Sequence, residues 1–420
     1  MFLVSKNKPP SQKVIINVAI ITALSLLGDS MLYIALPIYW EEVGLNSIWQ
    51  VGILLSINRF IRLPFNPIVG WIYNRITLKT GLLIAVTIGV ITTIGYGYFK
   101  GFFAWMILRA LWGIGWSFFR IGGLSTVAFY ADKNHRGEAM GLYNGIYRLG
   151  SLLGMLVGGG FFPIMGIQYV SVIFGFLSLL GLPIILLSLK TDSFTNIKDT
   201  DSFIETSIPF NLAFRQKFVI ILSGFFITML IQGVLTSTLS SVIEHNFGNE
   251  IEIFEMVLSV TLLSGLIQSA RWVWEPFLAR IFGIWSDGPI GKVPIFIFSL
   301  FFSGLIFGAI SNELPLIVWI IVTLLVLMSA TVITTLTDAI AIDISKTSNV
   351  VSFLTLYSIA QDMGAALGPF ISYLVIELKN GFKYLYWGGA GVLATLAILW
   401  TFYYFYEKAI FNVDSKKSIS

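Results

Sequence analysis

From Val14 to Tyr406 the chain is a succession of apolar runs, most of them long enough to cross a bilayer. A helix needs about 20 apolar residues to span roughly 30 Å of hydrocarbon. Bounded by charges, Gly or Pro, the runs fall at 14–40, 48–73, 80–99, 102–130, 138–163, 167–190, 216–244, 252–285, 292–311, 315–343, 350–378 and 382–406. The longest polar stretch, TDSFTNIKDTDSFIETSIPFN at 191–211, separates six runs from six. The sequence therefore predicts an all-α membrane protein of twelve transmembrane helices in two pseudo-symmetric six-helix bundles. Its expected divisions are 1–190, a cytoplasmic linker at 191–215, and 216–420. The first run is too long for a signal-peptide core and is followed by no small-residue cleavage site, so it reads as the first membrane helix.

Composition narrows the chemistry. Charged residues make up 11% of the chain and hydrophobic ones 56%, against about 25% charged in soluble domains. The net charge of +4 is not gathered into a patch, so nucleic acid is not an expected partner. Cysteine is absent, which excludes disulfides, thiolate metal sites and cysteine nucleophiles. The two histidines, His135 and His245, are far apart, so no metal or cofactor is expected.

Lysine and arginine set the expected orientation. With the N-terminus inside, seventeen of the 26 fall in cytoplasmic segments and only Lys100, Lys379 and Lys383 in outer loops. That bias places both termini in the cytoplasm; the short tails and the lack of a targeting segment make the cell membrane the expected location. The six left over, Arg59, Arg62, Arg109, Arg120, Arg148 and Arg271, lie inside runs, with Asp29, Glu275, Asp338 and Asp362. Charges there must face a bundle interior or a water-filled cavity and pair. For any one of them a structural ion pair accounts for it equally well; the set argues for a polar pathway.

Side chains three, four and seven apart share a helix face. Thr22, Ser25, Asp29 and Tyr33 line up; so do Arg59, Arg62 and Asn66; Arg109, Gly113, Trp116 and Arg120; Asn144, Arg148 and Ser151; and Gln268, Arg271 and Glu275. Thr331, Thr334, Thr335 and Asp338 form another stripe, and Tyr357, Ser358, Gln361 and Asp362 cluster. One polar face per helix describes a cavity. Tyr33, Trp112, Trp116 and Tyr357 are candidate walls, although core packing explains any single aromatic. The excess of arginine in the first half suits an anionic group on a cargo. A second pattern lies in GLYNGIYRLGSLLGMLVGG, 141–159, where Gly150, Gly154 and Gly158 form a flat stripe. Such a stripe admits a second helix at close range.

These features together resemble the major facilitator superfamily over essentially the whole chain. GWIYNRITLK matches its G-x-x-x-D-R-x-G-R-K loop at Gly70, Arg75 and Lys79, with Asn74 in place of Asp and Thr77 in place of Gly. GIWSDGPIGK is a second copy, with Gly283, Asp287, Gly291 and Lys292 and one extra residue. RALWGIG is similar to the R-x-x-x-G-x-G of proton-coupled members, using Arg109, Gly113 and Gly115. The resemblance implies proton transfer for that arginine; an arginine joining the fourth span to the first is the other reading. ADKNHRGEAMG resembles a structural D-x-x-x-R-G turn at Asp132, Arg136 and Gly137. Gly141, Gly150, Gly154, Gly158 and Gly159 follow the antiporter spacing G-x8-G-x3-G-P-x2-G-G, with Met155 where the family has Pro. GAALGP, with Gly364, Gly368 and Pro369, is its counterpart in the second half.

The resemblance implies alternating access about a midplane site and favours proton-coupled export of a small polar or amphipathic compound. Uptake of an anionic or zwitterionic metabolite is the alternative. Asp29 is the first candidate proton carrier; Glu275, Asp338 and Asp362 are the others. No P-loop is present, so the gradient, not ATP, is the expected energy source. An enzyme would need a nucleophile, metal cluster or cofactor motif, and none is visible. A monomer is expected.

Overall fold

The computed structural model describes residues 10–131, 136–189, 210–253, 256–286, 288–345 and 350–417. The elements are α1 (Pro10–Ala35), α2 (Trp49–Tyr73), α3 (Leu78–Tyr98), α4 (Phe102–Tyr130), α5 (Arg136–Leu179), α6 (Gly181–Ser188) and α7 (Phe210–Thr228). A π-helical segment, Met229–Leu235, leads into α8 (Thr236–Phe247). A hairpin of β1 (Glu250–Ile253) and β2 (Met256–Ser259) precedes α9 (Val260–Ser286), α10 (Lys292–Ala309), α11 (Leu316–Ser345), α12 (Val350–Ile376) and α13 (Gly381–Lys417).

The helices follow the apolar runs, with three local departures. α1 stops at Ala35 instead of 40, because Pro37 supplies no N–H and disfavours helix in the residue before it. The runs 138–163 and 167–190 are nearly continuous, since α5 is interrupted only at Gly166, whose φ of 73° breaks the helical path. The run at 252–285 begins as strand. EIEI and MVLS pair antiparallel with Ile251 opposite Leu258, and the period-2 alternation of EIEI suits a strand better than a helix.

Among the described residues, nine segments are long and apolar enough to cross a membrane. One of them, Glu138–Ser188, takes in two of the expected runs. The runs at 48–73 and 252–285 fall outside the nine; they carry Arg59 and Arg62, and Arg271, Glu275 and Arg280.

The chain divides into two compact units: residues 1–201 with 237–272, and residues 202–236 with 273–420. In the first, α1 packs along α5, α2 on α4, and α3 on both α4 and α5. Its core gathers Val18, Ile21, Leu82, Val86, Trp112 and Phe119. Burying side chains of this size removes them from both lipid and water and fixes the helix spacing. Residues 237–272 join this unit through α9, where the Thr261 hydroxyl donates to the Gly159 carbonyl at 2.8 Å. In the second unit α12 packs on α7 and the π segment, and α10 on α11 and α13.

Candidate functional site

Three helices of the first unit converge on one buried ion pair. α4 brings Arg109 and α1 brings Asp29, and the guanidinium donates to the carboxylate through Nη1 and Oδ1. The Arg109 side chain is 0% exposed and that of Asp29 9%. Arg109 Nε also donates to the Leu54 carbonyl of α2 at 2.9 Å. From the same helix, Asn58 Nδ2 reaches Asp29 Oδ1 at 3.4 Å. A charge this deep persists only with a partner and further hydrogen bonds. Tyr33, one turn along α1 from Asp29, accepts from Arg59 Nε at 3.4 Å. The guanidinium carbons of Arg59 and Arg109 each lie 6.0 Å from the Tyr33 ring.

A second cluster in this unit is aromatic. Arg62 lies 5.3 Å from the Trp116 ring centroid. Trp116 meets Trp112 at 6.4 Å and Tyr147 edge-on at 6.1 Å. Tyr147 in turn meets Tyr143, whose hydroxyl is 3.3 Å from that of Thr22. Arg148 and Arg271 both approach Trp272, at 5.3 and 5.6 Å. Gln268 donates to Ser264 at 3.3 Å. Arg120 and Asn144 are half-buried on α4 and α5. The polar stripes of α1 and α2 therefore converge on one buried network instead of remaining separate.

The second unit has its own acid. Asp338 on α11 is exposed and accepts from the Tyr357 hydroxyl at 2.7 Å and from Gln361 Nε2 at 3.1 Å. Tyr357 and Gln361 are one turn apart on α12 and bond to each other at 3.0 Å. Asp362 and Glu275 are half-buried on α12 and α9.

The glycine pattern has a geometric meaning. A Cβ at Gly150 would strike the Ala23 carbonyl of α1; at Gly154 it would lie 2.6 Å from the Leu27 carbonyl, and at Gly158 2.8 Å from Met31 Cβ. The helix that approaches the stripe is α1, contacted once per turn. Gly159 faces α9 instead, where its Cβ would meet the Thr261 carbonyl. Gly141 has nothing within 4 Å of its Cβ position, so it lies outside this contact. In the second unit a Cβ at Gly364 would strike the Phe225 carbonyl, and Gly368 abuts Met229 and Gly233. Pro369 follows within α12.

The loop copies are less alike. In the first, Arg75 stacks 3.7 Å from the Trp71 ring centroid and Lys79 donates to the Leu186 carbonyl at 3.4 Å. Asn74 closes α2 through the Gly70 carbonyl, and Thr77 caps α3 by accepting from the Thr80 N–H. Thr77 thus supplies a cap where glycine has none to give. In the second copy Lys292 pairs with Asp343 at 2.5 Å, and Gly283 has open space around it. Asp287 lies outside the described residues, as do Asp132 and most of the linker expected at 191–215.

Sequence reasoning missed Asn58, Tyr143, Tyr147 and Trp272. Asn58 directly precedes Arg59, so the run NRFIR held the signal; the tyrosines and Trp272 carried none beyond being aromatic.

Residues 18–284 match the Major Facilitator Superfamily. The chromaffin granule amine transporter of Rattus norvegicus is 32% identical over 132 residues, covering 31% of this chain and 25% of that protein. The synaptic vesicular amine transporter of Bos taurus is 31% identical over 123 residues, covering 29% and 24%. The aligned part of the chain thus spans about a quarter of the length of the curated relatives it matches. Among solved structures, a bacterial homolog of the human lysosomal transporter Spinster superposes with a TM-score of 0.66 at 15% identity, covering 94% of this chain and 96% of that one. A peptide transporter POT in complex with sulfate gives 0.74 at 11% identity, covering 95% of each. At these identities the likeness is one of fold.

Proposed function

We propose that this chain, which belongs to the Major Facilitator Superfamily, is a secondary transporter that exports a small organic amine in exchange for protons. The observation that carries the reading is the Asp29–Arg109 pair, closed off from solvent and joined by Asn58. Burial disfavours the charged form of a carboxylate and a neighbouring arginine favours it, so moving one relative to the other loads or unloads a proton. The names of the two amine transporters above support an amine as cargo. So does the Trp116 face, which holds the Arg62 guanidinium; a ring that accepts a guanidinium accepts an ammonium by the same quadrupole. In the second unit Asp338, exposed beside Tyr357 and Gln361, is a carboxylate of the kind that pairs with an ammonium.

In this reading residues 1–190 and 216–420 are the two six-helix halves, twelve spans in all, that rock about a midplane site. Both termini are cytoplasmic, the membrane is the cell's own, and the chain works as a monomer without cofactor. The glycines at 150–159 and 364–368 are the contacts along which helices shift. The alternative, proton-coupled uptake of an anionic or zwitterionic metabolite, is favoured by the number of arginines, Arg59, Arg62, Arg120, Arg148 and Arg271.

The test is gradient-driven flux in proteoliposomes, with radiolabelled tyramine as the amine probe. Export by antiport gives accumulation when the lumen is acidic, abolished by a protonophore and by Asp29→Asn. Accumulation only with an alkaline lumen reverses the direction and favours uptake. Full gradient-driven accumulation by folded Asp29→Asn removes Asp29 from the mechanism.

A further inference from the structure

At one end of the first unit a cavity of about 310 Å³ opens between the turn after α1, the end of α3 and the break in α5. Glu42, Lys100 and Gln168 give it polar walls. Its rims are joined where the Gly101 N–H donates to the Val43 carbonyl at 2.8 Å. Gly166 permits it: the φ of 73° at the break is a conformation that glycine adopts at little cost. At Gly97 the α3 and α5 backbones close together, a Cβ there lying 2.7 Å from the Gln168 carbonyl.

Tyr96 joins this cavity to the ion pair. The residue lines the cavity wall. Yet it is only 2% exposed, and its ring is stacked on Trp105 at 4.9 Å. Its hydroxyl interacts electrostatically with Arg109, Asp29 and Tyr33. The hydroxyl is a side-chain hydrogen-bond partner of Arg109, at a geometry looser than a full hydrogen bond, and Arg109 Nη2 makes no bond of full geometry. A buried hydroxyl held this loosely commonly takes water as a further partner, and the cavity that Tyr96 lines has room for one.

We propose that this cavity is a proton vestibule and that the Tyr96 hydroxyl relays protons from it to Asp29. In the relay the phenol oxygen takes a proton from hydronium in the vestibule and releases its own toward the Asp29 carboxylate. Water is left behind, the phenol ends neutral and the carboxylate ends protonated. The groups facing the hydroxyl are Asp29 and Tyr33 from α1 and Arg109 and Trp105 from α4, with Arg59 of α2 beyond Tyr33. Glu42 and Lys100 also line the cavity, one acidic and one basic. In the orientation proposed above, the vestibule opens on the outer face. The inference rests on Asp29 as the proton carrier, and it separates the proton's path from the cargo's.

The test needs no cargo. The full chain in proteoliposomes is subjected to an external pH jump, and the infrared carboxyl band of protonated Asp29 is followed, identified as the band that Asp29→Asn lacks. Tyr96→Phe keeps the ring and its stacking; it is expected to slow the appearance of that band by about tenfold or more. The chain has no cysteine, so a single one can be placed at will. Gln168→Cys modified with a bulky, membrane-impermeant methanethiosulfonate is expected to slow the band likewise. The same reagent on Tyr98→Cys, 65% exposed and off the cavity wall, is expected to leave it unchanged. An Asp29 band whose rate ignores both Tyr96→Phe and the Gln168→Cys adduct overturns the vestibule and leaves the carrier assignment standing. If no Asp29-dependent band appears at any pH at which the protein stays folded, the carrier assignment fails, and the vestibule with it.

Discussion

Breaking the Asp29–Arg109 pair should cost far more when one partner is removed than when both are. With Asp29→Leu, Arg109 stays 0% exposed and keeps the Leu54 carbonyl at 2.9 Å, but loses its carboxylate. An uncompensated buried charge costs about 3–5 kcal/mol. Arg109→Met leaves the Asp29 carboxylate with the Asn58 amide at 3.4 Å, and a similar loss is expected. In the double variant no charge remains. What is left unsatisfied is the Asn58 amide, at about 1–3 kcal/mol for such a group, while the Leu54 carbonyl keeps its backbone partner within α2. The double-mutant cycle should therefore close with a coupling of about 3 kcal/mol or more. Unfolding in mixed micelles, followed by the fluorescence of the chain's 12 tryptophans, supplies the free energies. Additivity within about 0.5 kcal/mol would refute the reasoning, since two independent sites behave that way.

The glycines of one motif should separate. Gly154→Ala places a methyl 2.6 Å from the Leu27 carbonyl and should destabilise by about 1–3 kcal/mol, whereas Gly141→Ala meets nothing and should be neutral or stabilise by up to about 1 kcal/mol; thermal unfolding of the two variants side by side decides. Tyr357→Phe removes the 2.7 Å hydrogen bond to Asp338 and should weaken amine binding or stability by about 1.5–3 kcal/mol if Asp338 is charged, a loss that isothermal titration with tyramine and thermal unfolding would register between them. Asp343→Asn breaks a pair whose side chains are 25% and 43% exposed, so it should cost less than about 1 kcal/mol. A larger loss in a melting experiment would show that Lys292 has a deeper role.

Helix existence was readable in the sequence because lipid leaves a chain little choice; helix ends and partners were not. Runs of apolar residues located α2–α4 and α10–α12 closely, yet the alternation in EIEI was hidden by its position beside a long apolar run. The break in α5 was visible as Gly166, but its left-handed backbone was not. The acid and the arginine of the central pair were both legible from the cost of charge in a membrane. Their pairing was one of two readings, because spacing along α1 and α4 says nothing about which turns face each other. Asn58 was overlooked because an uncharged amide carries no such cost. The stripe of Gly150, Gly154 and Gly158 announced a close helix, but only the folded chain names α1, and it sets Gly141 and Gly159 apart from a pattern that the sequence presents as one.

That α1 serves both the stripe and the ion pair bears on how a proton would move a helix. Residues two apart on a helix point in nearly opposite directions, about 200° around the axis. Leu27 and Met31 meet Gly154 and Gly158, while Asp29 and Tyr33 look the other way, to Arg109 and Arg59. On the α5 side, contacts at Gly150 and Gly154 run backbone to backbone, against the Ala23 and Leu27 carbonyls. Helix pairs are ordinarily fixed in register by ridges of side chains set into grooves; glycine removes those ridges while keeping the helices close. The stripe therefore holds α1 at a set distance from α5 and leaves its position along the axis to other contacts. These are Arg109 with Asn58 on one side, and on the other the Ser178 hydroxyl on the Leu24 carbonyl and the Tyr143 hydroxyl beside that of Thr22. In the proposed mechanism a proton on Asp29 weakens the link to α4 and leaves the contact with α5 in place. The degree of freedom that remains is a small slide or rotation of α1 over the glycine surface, opposed there by the Ser178 and Tyr143 hydroxyls. A lone charge change in a rigid core would only destabilise it; set opposite a glycine stripe, the same change has a direction in which to act.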